Sequence, residues 1–459
     1  MATEAPAIPE EPPQWREVFR GRRGRLTSGL LLLEALVAIQ ALVVATIMPD
    51  VRRDLGMVEL YGLAFTASSL ATIAAIPIAG HAVDRFGPRK VLLPILGLFA
   101  GGLLVAATAP AMPVLLVGQF LEGAGGGGLY ALSLGTVAKT YPDRLRARVL
   151  ALLAAMWIVP GLVGPPLGAL IASTVGWRWA FLTPLPILLL GWFLIVPALD
   201  LVPSLEQRQM AMPIRWSVQL MVGAGLAFTA LTIVRPWALA MLAAGLVIAV
   251  PALAKIVPRG TFLASRGIPA SALSAFLLSV GFLSMDAFLT LMLTGVRGLS
   301  LAEASIAITA ATITWALGSM WQSGRAQRIP LPRLLLLGTM MVIVGEAIVA
   351  SALSASVPPL VAYVGWALVG AGMGIAFPTI PLATMRLVAP GEESAGLSSV
   401  LLMDVLGVAA GAGLGGGAVA VADSLGAPLS AGIAAAFAIG FVALLLLAFT
   451  GRRIAPGPV

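Results

Sequence analysis

Fourteen apolar runs, separated by short charged segments, account for nearly the whole chain. They fall near residues 27–48, 60–79, 91–109, 112–138, 149–174, 177–199, 216–234, 237–256, 269–295, 301–321, 334–353, 358–385, 395–422 and 428–450. At 1.5 Å per residue, ~20 helical residues cross a ~30 Å hydrocarbon core, where only helices and closed barrels satisfy their own backbone. A barrel would alternate in segments of about 10 residues, and these runs are longer. The expected fold class is an all-α polytopic membrane protein. Charged residues make up 10% of the 459, against roughly 25% in a soluble domain. The loops leave no room for a soluble domain.

Basic residues set the direction. With the N-terminus on the cytoplasmic side, that side holds 23 of the 28 arginines and lysines. The opposite loops hold five: Arg52, Arg53, Arg178, Arg235 and Arg297. One missed or extra span would scramble this asymmetry, so both termini are expected in the cytoplasm of a cell inner membrane protein. The net charge of +8 then reports orientation in a lipid bilayer, and no nucleic-acid partner is expected. Arg22 and Arg23 read as a charge anchor and not a twin-arginine signal, because a full-length span follows with no cleavage site.

Cysteine is absent and His81 is the single histidine. No nucleophile–base pair, metal cluster or nucleotide motif is visible. Gly125 to Gly128 lies inside a span and lacks the lysine of a phosphate loop. No enzyme activity, metal or cofactor is expected.

The segment 80–90, GHAVDRFGPRK, lies between two uncharged runs and reads as a tight turn at the membrane surface. A second basic, glycine-bearing segment, GSMWQSGRAQRIPLPR at 318–333, follows a later run. If the first six spans match a second six, these segments are counterparts and 216–234 with 237–256 form a two-span insert. The division expected is a tail over 1–26, a six-helix bundle over 27–199, a linker with two inserted helices over 200–268, a second bundle over 269–450 and a tail over 451–459. Secondary transporters are built from such paired repeats with a site between them.

Four stretches carry a family resemblance. Residues 80–90, with Gly80, Asp84, Arg85, Gly87, Arg89 and Lys90, resemble the turn between helices 2 and 3 of the major facilitator superfamily. Residues 45–56, ATIMPDVRRDLG, resemble the first-helix motif of its 14-helix drug:proton antiporter branch. Gly161, Gly164, Pro165 and Gly168 resemble the glycine-proline motif of exporters, and residues 176–181, GWRWAF, that branch's start of helix 6. The resemblance implies two six-helix bundles plus two inserted helices. It also implies export of hydrophobic, cationic compounds by alternating access, driven by protons, with a small amphiphilic substrate and a monomeric protein. An exporter or flippase of lipid is the alternative; a polar-solute importer and a transporter-like sensor fit the residues less well than either. Two departures matter. Gln40 stands where the branch carries an aspartate, and Gln119 where an arginine opens Arg-x-x-Gln-Gly, here Gln119 to Gly123.

Five ionisable residues fall inside spans, all acids: Glu34, Glu122, Asp286, Glu346 and Asp404. A charge at mid-membrane costs ~2.5–3.5 kcal/mol or more, so each must face a cavity, find a partner or hold a proton. The family architecture puts Glu34, Gln40, Gln119, Glu122 and Asp286 on cavity-lining helices, with Asp404 a further candidate. Gln119 and Glu122 share a helix face. The plain alternative is interhelical hydrogen-bond glue. Tyr130, Phe276, Phe282, Phe288, Trp315, Trp366 and Phe377 are either cation-holding rings or packing. Glu346 is expected on a peripheral helix, with a partner on the inserted pair. Asp84 is expected to accept from the start of the helix near Ser394 as a cytoplasmic latch, with Glu392 and Glu393 pairing nearby cations. Pro160, Pro165 and Pro166 bend helix 5, either as a gate or only as a shape.

Overall fold

The structure is a computed structural model describing residues 15–141, 156–201, 214–233, 235–387 and 393–455, with positions 145, 149, 152 and 153 between. Among the described residues it is all helical. The major helices are α1 (Gly21–Leu55), α2 (Tyr61–Phe86), α3 (Pro88–Ala107), α4 (Met112–Thr140), α5 (Ile158–Thr174), α6 (Pro184–Ile195), α7 (Ile214–Thr232), α8 (Ala238–Ile256), α9 (Ile268–Leu291), α10 (Leu301–Arg325), α11 (Leu331–Ser351), α12 (Leu360–Leu387), α13 (Glu393–Ser424) and α14 (Leu429–Thr450). Twelve described segments are long and apolar enough to cross a bilayer. The other two are α4, whose hydropathy Gln119, Glu122 and its glycines dilute, and α5, described over 17 residues. Large apolar side chains stay exposed, Val247 at 72% and Phe449 at 77%. Such positions suit lipid contact, where the helical backbone is already satisfied.

The helix pairings repeat. In the first half α4 packs on α2 and α3, and α1 on α5 and α6; in the second, α12 packs on α10 and α11, and α9 on α13 and α14. The halves meet along two seams, α2 with α13 and α5 with α10. The inserted α7 lies on the first seam, with Phe228 against Gly413, Leu231 against Gly417 and Leu70 of α2 against Gly225. That seam is tight at one end. A Cβ on Gly62 would sit 2.5 Å from Ala412 O and 2.6 Å from the Gly416 Cα. Thr66 Oγ1 donates across it to Ala409 O at 3.1 Å. Near Gly80, 18 residues further along α2, a Cβ would meet nothing within 4 Å.

The charged segment 80–90 is narrower than a turn. α2 continues through Gly80, Asp84 and Arg85 to Phe86, and α3 begins at Pro88. The break is Gly87 alone, at φ 80° and ψ 153°, a region that disfavours any side chain. Pro88 then fits the first helical turn, where its missing N–H has no partner to lose. Among the described residues Gly80 therefore mediates no close helix approach. The side chain of Asp84, residues 388–392 and the side chains of 393–398 lie outside the described residues, and Glu392 with them. α13 does begin at Glu393, beside the expected Ser394.

Candidate functional site

The two departures from the family pattern converge on one carboxylate. Gln119 and Glu122 sit one turn apart on α4, and α1 brings Gln40 to the same point. Gln40 Nε2 donates to Glu122 Oε2 at 3.1 Å, and Gln119 Nε2 donates to the same oxygen at 3.0 Å. All three are buried, at 0%, 2% and 7% exposure. Gln40 Oε1 has no partner among the described residues. The i, i+3 spacing announced half of this knot; the sequence put Gln40 among the cavity candidates but not at Glu122.

The remaining acids form separate groups. Trp157 Nε1 donates to Glu34 Oε1 at 3.0 Å, tying α1 to the start of α5. Ser279 of α9 donates to Asp404 of α13. Glu34 thus sits on α1 in the first half and Asp404 on α13 in the second, each held by its own donor. Asp286 instead lies near Tyr61 of α2, whose ring packs on Phe288 with centroids 5.6 Å apart. The six expected site residues are thus one three-residue knot and three separate acids.

Four of the seven aromatics do assemble. Phe282 stacks on Trp366 at 5.4 Å and 14°, and meets Trp315 edge-on at 5.5 Å. Trp315 in turn meets Phe377 at 5.8 Å. This group joins α9, α10 and α12 in the second half.

The exporter motif lies where both halves touch. A methyl on Gly161 would run into Thr312 of α10, whereas Gly164 and Gly168 face Leu42 and Val43 of α1. α5 stays one helix through Pro165 and Pro166. Two other motifs are joined by a contact that the sequence did not reveal. Trp177 Nε1 and Arg178 Nη1 both donate to Asp54 Oδ2, at 3.1 and 2.6 Å, and Arg178 Nη2 reaches Ala109 O at 3.2 Å. Beside them a cavity of ≈ 1070 Å³ opens between the halves, lined among others by Asp50, Arg52, Glu59, Gly295 and Asp423.

Glu346 departs from expectation. It is 1% exposed, with neither carboxyl oxygen partnered among the described residues. Its helix packs chiefly on α12 and α14, and not on the inserted pair. α11 meets α12 at backbone distance where a Cβ on Gly345 would lie 2.6 Å from Gly365 O. Gly102 and Gly118 make the matching approach of α3 to α4, which aligns Glu346 with the fully buried Leu103. An unpartnered buried polar group costs about 1–3 kcal/mol. Glu346→Leu should therefore raise the thermal unfolding temperature of the purified protein; a lowered one would show a partner that the packing does not reveal.

The model of the Major Facilitator Superfamily matches residues 30–321. Multidrug transporter protein MdtP of Bacillus subtilis is 25% identical over 386 residues, 80% of this chain and 70% of that protein. A probable multidrug-efflux transporter of Mycobacterium tuberculosis is 28% identical over 432 residues, 88% of this chain and 89% of the relative. Among solved structures, a D-xylose–proton symporter matches with a TM-score of 0.70 at 14% identity, over 95% of this chain and 98% of that one. The human organic anion transporter MFSD10 matches with a TM-score of 0.60 at 17% identity, over 94% and 100%. At such identities the structural likeness speaks for the fold. Helix number, repeated pairings and family match agree: the chain belongs to the Major Facilitator Superfamily, as a multi-pass membrane transporter and not an enzyme.

Proposed function

We propose that the protein exports hydrophobic, mainly cationic small molecules by alternating access, driven by protons and acting as a monomer. The observation that carries this reading is the Glu122 knot: a carboxyl inside the bundle whose hydrogen-bond donors are two neutral amides. Such a group is balanced by dipoles alone, so a proton or an organic cation neutralises it at little cost. Glu34 and Asp404 add negative charge from the two halves, and the Phe282 group offers ring faces to a cation. The names of the multidrug relatives support outward transport of varied compounds. In this reading residues 27–199 and 269–450 rock about the site, and the Gly87 break with Asp84, Arg85, Arg89 and Lys90 latches the end of α2 against the start of α13.

Flux in proteoliposomes with an imposed pH gradient tests the reading, with cationic dyes, neutral analogues and fluorescent lipids compared side by side. Cationic dyes should accumulate against their gradient only when the pH gradient is present. Equal movement with and without it, or a preference for the lipid, would overturn the proposal.

A further inference from the structure

The start of α1 is built against the usual electrostatics of a helix. Its first turn holds Arg22 and Arg23 with no acidic residue, and Arg20 at the N-cap provides no side-chain cap. Free N–H groups and the positive end of the helix dipole favour anions there, so basic residues at this place raise the local positive potential further. Arg20, Arg22 and Arg23 line a cavity of ≈ 390 Å³ together with Glu17 and Thr140. Among the described residues, none of the three guanidinium groups forms an ion pair or a hydrogen bond. The Thr140 hydroxyl, on the wall of the same cavity, also has no partner among the described residues.

The cavity is held in shape and is not part of a loose tail. Thr27 Oγ1 lies 2.8 Å from Val18 O, 3.0 Å from Arg23 O and 2.7 Å from the Tyr141 hydroxyl. Thr27 has one proton to give to those carbonyls, so Tyr141 donates to Thr27. This fixes the arm before α1 to the end of α4. Val18 is fully buried, whereas Phe19, two residues before α1, is 47% exposed.

We propose that this cavity binds the phosphate of an anionic phospholipid headgroup. Guanidinium forks match a phosphate's paired oxygens, and the uncapped N–H groups of α1 supply further donors. One carboxylate against three guanidinium groups leaves the site cationic. Free phosphate shares the chemistry; the exposed Phe19 ring, next in sequence to Arg20 of the lining, favours the lipid, because an apolar face meets acyl chains where a free ion offers nothing.

The test is native mass spectrometry of the purified full chain from detergent, supplied in turn with phosphatidylglycerol, phosphatidylcholine and inorganic phosphate. Wild-type protein should retain phosphatidylglycerol under activation that strips phosphatidylcholine. Arg20→Gln/Arg22→Gln/Arg23→Gln should cut that retention roughly tenfold, since it removes all three charge-assisted contacts. Arg20→Gln alone, at an exposed position before the helix, should cut it in part and guards against misfolding of the triple variant. Arg259→Gln/Arg266→Gln/Arg328→Gln removes three charges from loops at the same end and should leave retention unchanged. An equal loss in that control, or no preference over phosphatidylcholine, would overturn the site. Displacement of the lipid by millimolar inorganic phosphate would overturn its assignment to lipid.

Discussion

Glu122→Gln is expected to reduce pH-gradient-driven efflux roughly 100-fold while exchange of substrate across the membrane continues. The magnitude comes from the cost of the charge. A charged side chain at mid-membrane costs ~2.5–3.5 kcal/mol, and each ~1.4 kcal/mol is tenfold in an equilibrium. Proton coupling works only if protonation changes the balance between conformations by its differential free energy. Glutamine keeps the shape of the site and the two amide neighbours but has no proton to exchange, so the coupling energy disappears and the carrier remains. Removing one donor should have a smaller effect. Gln40→Leu leaves Gln119 bonded to Glu122 and takes away one charge-assisted hydrogen bond, worth about 1.5–3 kcal/mol. Asp286→Asn is the comparison, because Asp286 stands outside the knot near Tyr61. Undiminished gradient-driven efflux in Glu122→Gln would move the coupling role to another acid.

Gly62→Leu is expected to hold open the end of the α2–α13 seam that the structure shows closed. A Cβ there already falls 2.5 Å from Ala412 O and 2.6 Å from the Gly416 Cα, and both obstacles are backbone that cannot rotate away. Overpacking of this kind costs about 1–3 kcal/mol, enough to shift a two-state balance 5- to 150-fold. Turnover should fall accordingly, because a transporter that cannot close one side completes no cycle. The chain contains no cysteine, so Ala409→Cys, at a position fully buried in the seam, reports on the opening without background. A membrane-impermeant maleimide should label Ala409→Cys slowly alone and rapidly in combination with Gly62→Leu. Equal labelling rates would mean that the seam is not a gate. The inserted α7 packs over this same seam through Phe228 and Leu231, so it moves with the gate or resists it.

Particular residues show how much of this was legible beforehand. Most spans followed from run length, since a bilayer forces each crossing to be a helix of known length; the two-span insert rests instead on the likeness of segments 80–90 and 318–333. The proximity of Gln119 and Glu122 followed from a local rule, and so did the break near Gly87. The reach of Gln40 into the same knot did not, because it depends on how α1 is rotated and how deep it sits against α4. The contact of Trp177 and Arg178 with Asp54 joins residues more than 120 positions apart and has no sequence signal. The sequence points Glu346 to a partner on the inserted helices, whereas α11 packs chiefly on α12 and α14.

Sequence by itself determined that this chain crosses a membrane many times, which segments cross, and which few polar side chains must be accommodated there. Hydropathy and hydrogen bonding decide those matters within each segment, independently of its neighbours. Only the tertiary structure decided which polar side chains meet Glu122, where the halves touch and what covers their seam. In lipid, apolar faces of different helices are nearly equivalent, so side-by-side packing of small residues selects the neighbours, and that selection is not written in any one helix.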